Sequence, residues 1–410
     1  MLKEHQVILI HDGKVFSPYY FYNIFLREIA EYYRETIVDG LPISFRITDE
    51  KEFVMGNYRI DPIAIPLLLS LSQQIRLHQK EPLRLELVNV PSTNALLEFL
   101  YRSDFFYVAG DNTNPSFPKG RDIFNFDKKQ LGGFMNRYPR PEHKIRSYAL
   151  NDDPFLLNLL CSETNADERR DQFVEYYSYK VSEHFQPLLQ VFTNDYVSFF
   201  VDVLSELITN GVYHSGTDVF ALMFSDRFTT KFSISDNGIG FHESLSKKTD
   251  IPFYTKFELS NQIRCEYSLP ETAVNKALLD IFEAMYFSMI KSRVGLFDLA
   301  MNVVNEFHGY FRLHCDYAQV ILSMRMRNEI AELEKLREEI RMLYSLNNFG
   351  GIEQVVFNQK LRTLISSCRV SMVKLFRKMW ESYSEDARFS SIRFFPIRFR
   401  GVHIEVEISK

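Results

Sequence analysis

A mixed α/β (α+β) fold is predicted from three observations. Over the first hundred residues, short β-branched and aromatic runs alternate with segments of helical period, the pattern of an α/β layer. Farther on, two β-rich runs, Thr217 to Phe224 and Thr229 to Ser235, flank Asp226-Arg227 as a hairpin. Near the end, a charged helical stretch at about 328–388 interrupts the closing strands. At 410 residues the chain exceeds one typical domain and suggests two or three.

Taken in order, residues 1–110 form a first α/β unit, with strands expected over Gln6 to Ile10, Ile43 to Ile47, Leu83 to Val88 and Phe105 to Val108. Helices are expected between them, over Tyr20 to Tyr33, Pro62 to Leu77 and Ser92 to Tyr101. Residues 111–165, dense in Asn, Pro and Gly at the start, are expected as a linker or ordered loop. The second unit, 166–410, begins with helices from Asp167 to Phe200, where His184 reads as an ordinary surface histidine. After the hairpin comes a long segment, Phe241 to Ser292, holding a helix over Glu271 to Ile290. Leu296, Leu299, Ala300, Val303, Val304 and Phe307 recur at helical spacing, and strands follow over Tyr310 to Cys315 and Gln319 to Met324. The interrupting stretch carries an exposed or coiled-coil helix over Arg325 to Tyr344 and a basic amphipathic one over Gln359 to Tyr383. Phe399 to Ile408 closes the sheet, so about 328–388 is an insertion between its last two strands.

Composition narrows the partners. Hydrophobic content of 46%, with 37 Phe and 22 Tyr, fills sizeable cores. A net charge of −5 gives no electrostatic reason to bind nucleic acid or an acidic membrane. The four cysteines have no metal-ligand spacing, so buried, reduced thiols and a cytoplasmic location are expected. The longest apolar run, Ile63 to Leu71, is too short to span a bilayer, and Lys3, Glu4 and His5 do not open a signal peptide.

Two motifs carry chemistry. In Glu206-Leu-Ile-Thr-Asn210-Gly-Val-Tyr-His214, Glu206 and Asn210 stand four residues apart, on one helical face. Asp236-Asn237-Gly238-Ile239-Gly240-Phe241 follows an apolar, β-rich run, an acid at the end of a strand before two spaced glycines. In that order the two resemble the N-box and G1-box of the GHKL ATPases, the Bergerat-fold family of histidine kinases, gyrase-type topoisomerases, heat-shock chaperones and anti-sigma-factor kinases. The resemblance implies ATP and Mg²⁺ as cofactors. Asn210 then matches the metal ligand, since Mg²⁺ takes oxygen donors and keeps several waters. Glu206 orients or deprotonates the attacking water or hydroxyl. Asp236 accepts from the adenine amino group, which guanine lacks there. Gly238 and Gly240 let the loop lie against the base, and His214 approaches the phosphates or ribose.

A third match is incomplete. Ser292-Arg293-Val294-Gly295-Leu296-Phe297 resembles the glycine-rich G2-box, but Arg293 replaces its first glycine and only Gly295 remains. The loop's backbone amides would cradle phosphate, while Arg293 would clamp it, obstruct closure or lie idle at the surface. The run from Tyr58 through Val108 is similar to the later half of a STAS domain, the fold of anti-sigma-factor antagonists. Its Asp61-Pro62-Ile63-Ala64 lacks the hydroxyl such proteins phosphorylate, and Ser92 and Thr93 read as helix caps, leaving docking or dimerisation as its use. The function so implied is a bacterial signalling switch that binds Mg-ATP, hydrolyses it slowly and controls a protein partner or a homodimer. The alternatives are a serine/threonine kinase acting on a STAS-like partner and a nucleotide-bound, inactive scaffold.

Overall fold

The computed structural model describes residues 6–8, 15–35, 44–47, 60–88, 90–134, 143–161, 165–214, 216–248, 251–386 and 389–410. Among these, the first apolar runs pair in parallel. Strands β1 (Gln6–Ile8), β2 (Ser44–Ile47), β3 (Leu83–Leu87) and β4 (Phe124–Asn125) form a sheet in chain order. Parallel neighbours need long crossovers. Helix α1 (Pro18–Tyr20), a π-helical turn at Phe21–Phe25 and α2 (Leu26–Glu35) make the first. Helix α3 (Ala64–Gln79) makes the second, and α4 (Pro91–Arg102) with α5 (Phe105–Ala109) the third.

The second sheet is antiparallel, in the order β5-β6-β7-β9-β8. It contains β5 (His143–Tyr148), β6 (Val219–Ser225), β7 (Thr229–Asp236), β8 (Tyr310–Leu322) and β9 (Ile392–Ser409). Before the β6–β7 hairpin run α6 (Pro154–Cys161), α7 (Ala166–Phe192) and α8 (Val197–Thr209). After it come α9 (Gly240–Ser246), α10 (Glu258–Glu266), α11 (Ala273–Ile290) and α12 (Leu296–Asn305). Between β8 and β9 lie α13 (Arg327–Asn348) and α14 (Gln354–Glu381).

The two halves share a core. Successive strand residues point to opposite faces, and β6 is apolar on both. Val219, Ala221 and Met223 join the core of α7, α8, α11 and α12, whereas Phe220 and Leu222 join that of the N-terminal unit. From the same unit Asp61 pairs with Lys231 on β7 (3.1 Å), and Ser233 donates to the carbonyl of Ile63 at 3.0 Å. The unit therefore covers the back of the antiparallel sheet.

Several elements differ from expectation. Phe105 to Val108 is helix, not strand, because Phe105, Phe106, Val108 and Ala109 are all buried and packing overrides β-propensity. Residues 111–165 are more than a linker or loop: they supply β4, a 3₁₀ segment (Lys128–Phe134), β5 and α6. A two-residue strand offers too little pattern to read. Tyr310 to Leu322 is one strand with irregular pairing around Asp316, whose φ is 54°. Helix α13 is not exposed all round: Ile330, Leu333, Arg337, Ile340 and Leu343 form a buried stripe at coiled-coil-like spacing, and the helix packs against α14. His184 is half-buried against the Tyr148 hydroxyl (3.0 Å) instead of lying free on the surface. Cys161 and Cys265 are exposed, Cys315 and Cys368 buried, and all four are free. Thr93 is not the N-cap of α4 but its third residue, and its Oγ1 accepts from the N–H of the N-cap Val90 at 3.1 Å. Leu9, Ile10, Ile43 and Tyr58, within the expected strands and the STAS-like run, and the Ser92 side chain lie outside the described residues. Among the described residues, no helix is long and apolar enough to cross a membrane.

Candidate functional site

Helix α8 presents Val203, Leu204, Leu207 and Ile208 to the core and packs along α7. It then widens into a π-helical turn, Asn210–His214. Gly211 is required there: a Cβ would stand 2.4 Å from Cγ2 of Val219. Glu206 is 4% exposed and does not face an open cleft. Arg170, from α7, donates through Nη1 to Oε1 of Glu206 at 3.3 Å and through Nη2 to its Oε2. The same Nη2 donates to Oδ1 of Asn210 at 3.3 Å. One guanidinium thus occupies both predicted residues of this helix. His214 ends the turn, and its side chain lies outside the described residues.

Strand β7 ends on Asp236, which lies across from Gly211. Its Oδ1 accepts from the Gly238 N–H at 2.7 Å and the Val402 N–H at 3.3 Å. Burial pushes this carboxyl up to about 6 even though both amides favour the anion. Gly401 makes the second contact possible. At φ 107° it adopts a backbone L residues avoid, and a Cβ would lie 1.9 Å from the Asp236 carbonyl oxygen. Gly240, at φ 75°, opens α9 with a Cβ position 3.4 Å from Sγ of Cys315. Asn237 turns the other way, into the N-terminal unit. It donates to Gln73 (2.8 Å) and accepts from Gln74 (2.8 Å) and from Ser70, all on α3.

Two adjoining cavities meet at Asn210, Phe241, Ser244 and Leu296. The smaller, about 100 Å³, has Asp236 among apolar walls that include Ile234, Ile239 and Ile404. The larger, about 360 Å³, is lined by Arg170, Lys248, Lys291 and Arg293. Burial pulls Lys291 down to about 8, and Arg170, Lys248 and Arg337 push the same way against the opposing pull of Glu206. An apolar slot ending in one carboxylate opens into a chamber lined by four cationic side chains. Such a pair of compartments suits a molecule with a flat amino-bearing ring at one end and several negative charges at the other.

Arg293 and Gly295 both have partners within the protein. Arg293 lines the chamber but pairs with Asp171 at 2.8 Å, so its guanidinium is already engaged. Gly295 does not offer its amide to a ligand: its N–H donates to Oδ2 of Asp298 at 2.8 Å. A Cβ there would meet Nζ of Lys291 at 3.0 Å and Oγ of Ser288 at 3.1 Å, so glycine serves a close crossing. Cationic side chains, rather than loop amides, supply the positive end of the site. Sequence reasoning missed Arg170, Lys248, Lys291 and Gly211. Lys291, two residues before Arg293, was the one signal in plain view. Among the described residues, no group of three or more His, Cys, Asp or Glu could hold a metal ion. Asn210 and a ligand's own phosphates would have to suffice for Mg²⁺.

Comparison with protein-family models, with curated proteins and with solved structures yields no match to the chain.

Proposed function

We propose that the chain binds Mg-ATP in the paired cavities and uses that binding, with slow hydrolysis, as a conformational switch on a protein partner. The observation that carries this reading is the junction at Asn210 between the Asp236 slot and the cationic chamber. Adenine would donate its amino group to Asp236, and Mg²⁺ would bridge Asn210 and the phosphates. Arg170, Lys248 and Lys291 would neutralise the triphosphate. The inserted hairpin supports a partner role, because Met342, Leu346, Phe349 and Val355 are exposed around its tip, Phe349 at 87%.

Turnover needs Glu206 to face water, and its bond to Arg170 stands in the way. That pair favours the inactive scaffold as a second reading. Calorimetry with ATP and GTP, with and without Mg²⁺, tests binding; release of labelled γ-phosphate tests turnover. Glu206→Gln keeps a hydrogen-bonding partner for Arg170, so it should bind Mg-ATP like the wild type. It should lose roughly 10²-fold in hydrolysis, as expected for loss of a positioned base. Equal rates in the two proteins would remove Glu206 from the chemistry and leave the scaffold.

Lys291 gives a second test. With its ammonium lowered to about 8, much of it is neutral at pH 8 to 8.5. A triphosphate beside it favours the charged form, so binding should take up a proton and weaken as pH rises. Heats measured in buffers of different ionisation enthalpy should therefore differ at pH 8.5. Buffer-independent heats would place the phosphates elsewhere.

A further inference from the structure

We infer that Arg337, on the inserted helix α13, is a positioning residue for the polyanion chamber, so that the insertion is a working part of the nucleotide site. This rests on the Mg-ATP reading above. Arg337 is 0% exposed and lies at the centre of the buried stripe of α13. Its Nε and Nη2 grip Asp298 at 2.9 and 3.0 Å in a two-point fork. The remaining donors go to three backbone carbonyls, Met289 in the last turn of α11 at 2.9 Å, and Lys291 and Arg293 (2.7 Å) in the connection to α12.

A guanidinium has five N–H donors in a fixed plane, and here they meet five acceptors. The alternate carbonyls at 289, 291 and 293 are thereby turned inward, away from the chamber. Asp298 completes the arrangement from the other side, since its Oδ2 also accepts the Gly295 N–H. The segment bearing Lys291 and Arg293 is thus cast around one side chain that comes from the inserted helix. Tyr344, farther along the same helix, lines the chamber directly. Without Arg337, three inward carbonyls and a buried carboxylate lose their partner, and the segment must turn them toward water. Lys291 would then leave the position in which it lines the chamber with Arg170 and feels the Glu206 carboxylate. Arg337 hydrogen-bonds to none of the residues lining the slot at Asp236, so adenosine binding should be spared.

The decisive variant is Arg337→Lys, which retains a charge for Asp298 but cannot span the three carbonyls. Calorimetry on the full chain should show ATP and inorganic tripolyphosphate binding at least tenfold more weakly, with adenosine affinity unchanged within twofold. A folded variant with wild-type affinity for both phosphates overturns the inference. So does an equal loss for adenosine and ATP, which a general loosening of the fold would produce. Failure of the wild type to bind ATP while it binds tripolyphosphate would reject the nucleotide reading alone, and the tripolyphosphate comparison would still test Arg337. A wild type that binds neither rejects both. If Arg337→Lys does not fold, hydrogen exchange on the wild type decides. Tripolyphosphate or Mg-ATP should slow exchange in residues 289–297 and in the 333–344 stretch of α13 together; protection of the connection without α13 overturns the coupling.

Discussion

Asp236→Asn should lower ATP affinity at least tenfold while leaving the fold intact. The asparagine oxygen can replace Oδ1 and keep both backbone bonds, to Gly238 at 2.7 Å and Val402 at 3.3 Å. Its amide nitrogen then takes the place of Oδ2, which carries no hydrogen bond among the described residues and lies 3.7 Å from where a Cβ of Gly211 would be. Adenine would present a donor to a donor. Leaving two donors face to face in a closed slot costs about 1–3 kcal/mol or more, since neither can reach water. A base with a carbonyl at that position has the opposite preference, so inosine triphosphate should lose far less than ATP and could gain. The ratio of ATP to ITP affinity, measured in both proteins, checks this. An unchanged ratio would falsify the assignment of Asp236 as the base reader.

The same substitution should stabilise the free protein, with a definite pH dependence. A carboxyl raised from 3.8 to about 6 holds its proton more tightly when folded. Its contribution is favourable below pH 3.8 and is lost as pH rises through 6. At neutral pH the ionised, part-buried group costs stability, up to about 3 kcal/mol at 1.36 kcal/mol per unit. Asp236→Asn removes that cost, so its gain in melting temperature should be largest at pH 7–8 and vanish toward pH 4. A group kept at the expense of stability fits a binding role better than a structural one.

What the sequence reveals here follows from how local each feature is. Glu206 and Asn210 are legible because four residues are one helical turn, and Asp236 because a strand ends where its apolar run ends. Gly401 is visible only as a glycine. That it must be one depends on β9 crossing Asp236 so closely that a Cβ would meet its carbonyl oxygen at 1.9 Å. Arg337 reads, from its neighbours, as one charge in a solvated helical face. Its burial comes from α13 crossing the α11–α12 connection more than 40 residues away, as its bond to the Arg293 carbonyl attests. Period and composition carry no record of such crossings. The shared core behind the antiparallel sheet was partly legible, since β6 lacks the polar alternation of a strand with one wet face.

Arg170 was the least legible of all, and it should have the largest effect on stability. Its guanidinium and the Glu206 carboxylate have side-chain exposures of 10% and 5%, so neither charge is well solvated. Removing one partner of a buried pair leaves the other uncompensated, at about 3–5 kcal/mol. Arg170→Met should therefore lower stability by that amount at pH 7, and adding Glu206→Leu should restore most of it. A fully additive double variant, with no recovery, would show that the two charges are independently solvated and do not act as a pair. On the Mg-ATP reading the pair has a second consequence. In the free protein one guanidinium neutralises Glu206 and occupies Asn210 (3.3 Å), so the metal and the arginine compete for the same oxygen. Mg²⁺ arriving with a triphosphate carries the charge that Glu206 would otherwise lose, and the phosphates offer Arg170 a new partner within the same chamber. Binding should thus replace the pair, not break it unaided. Glu206 would then be released toward water only with the triphosphate in place, which would tie any hydrolysis to completed binding. Arg170→Lys, with a single point charge that cannot hold Glu206 and Asn210 together, should then hydrolyse bound ATP faster than the wild type, and phosphate release under single-turnover conditions would measure it.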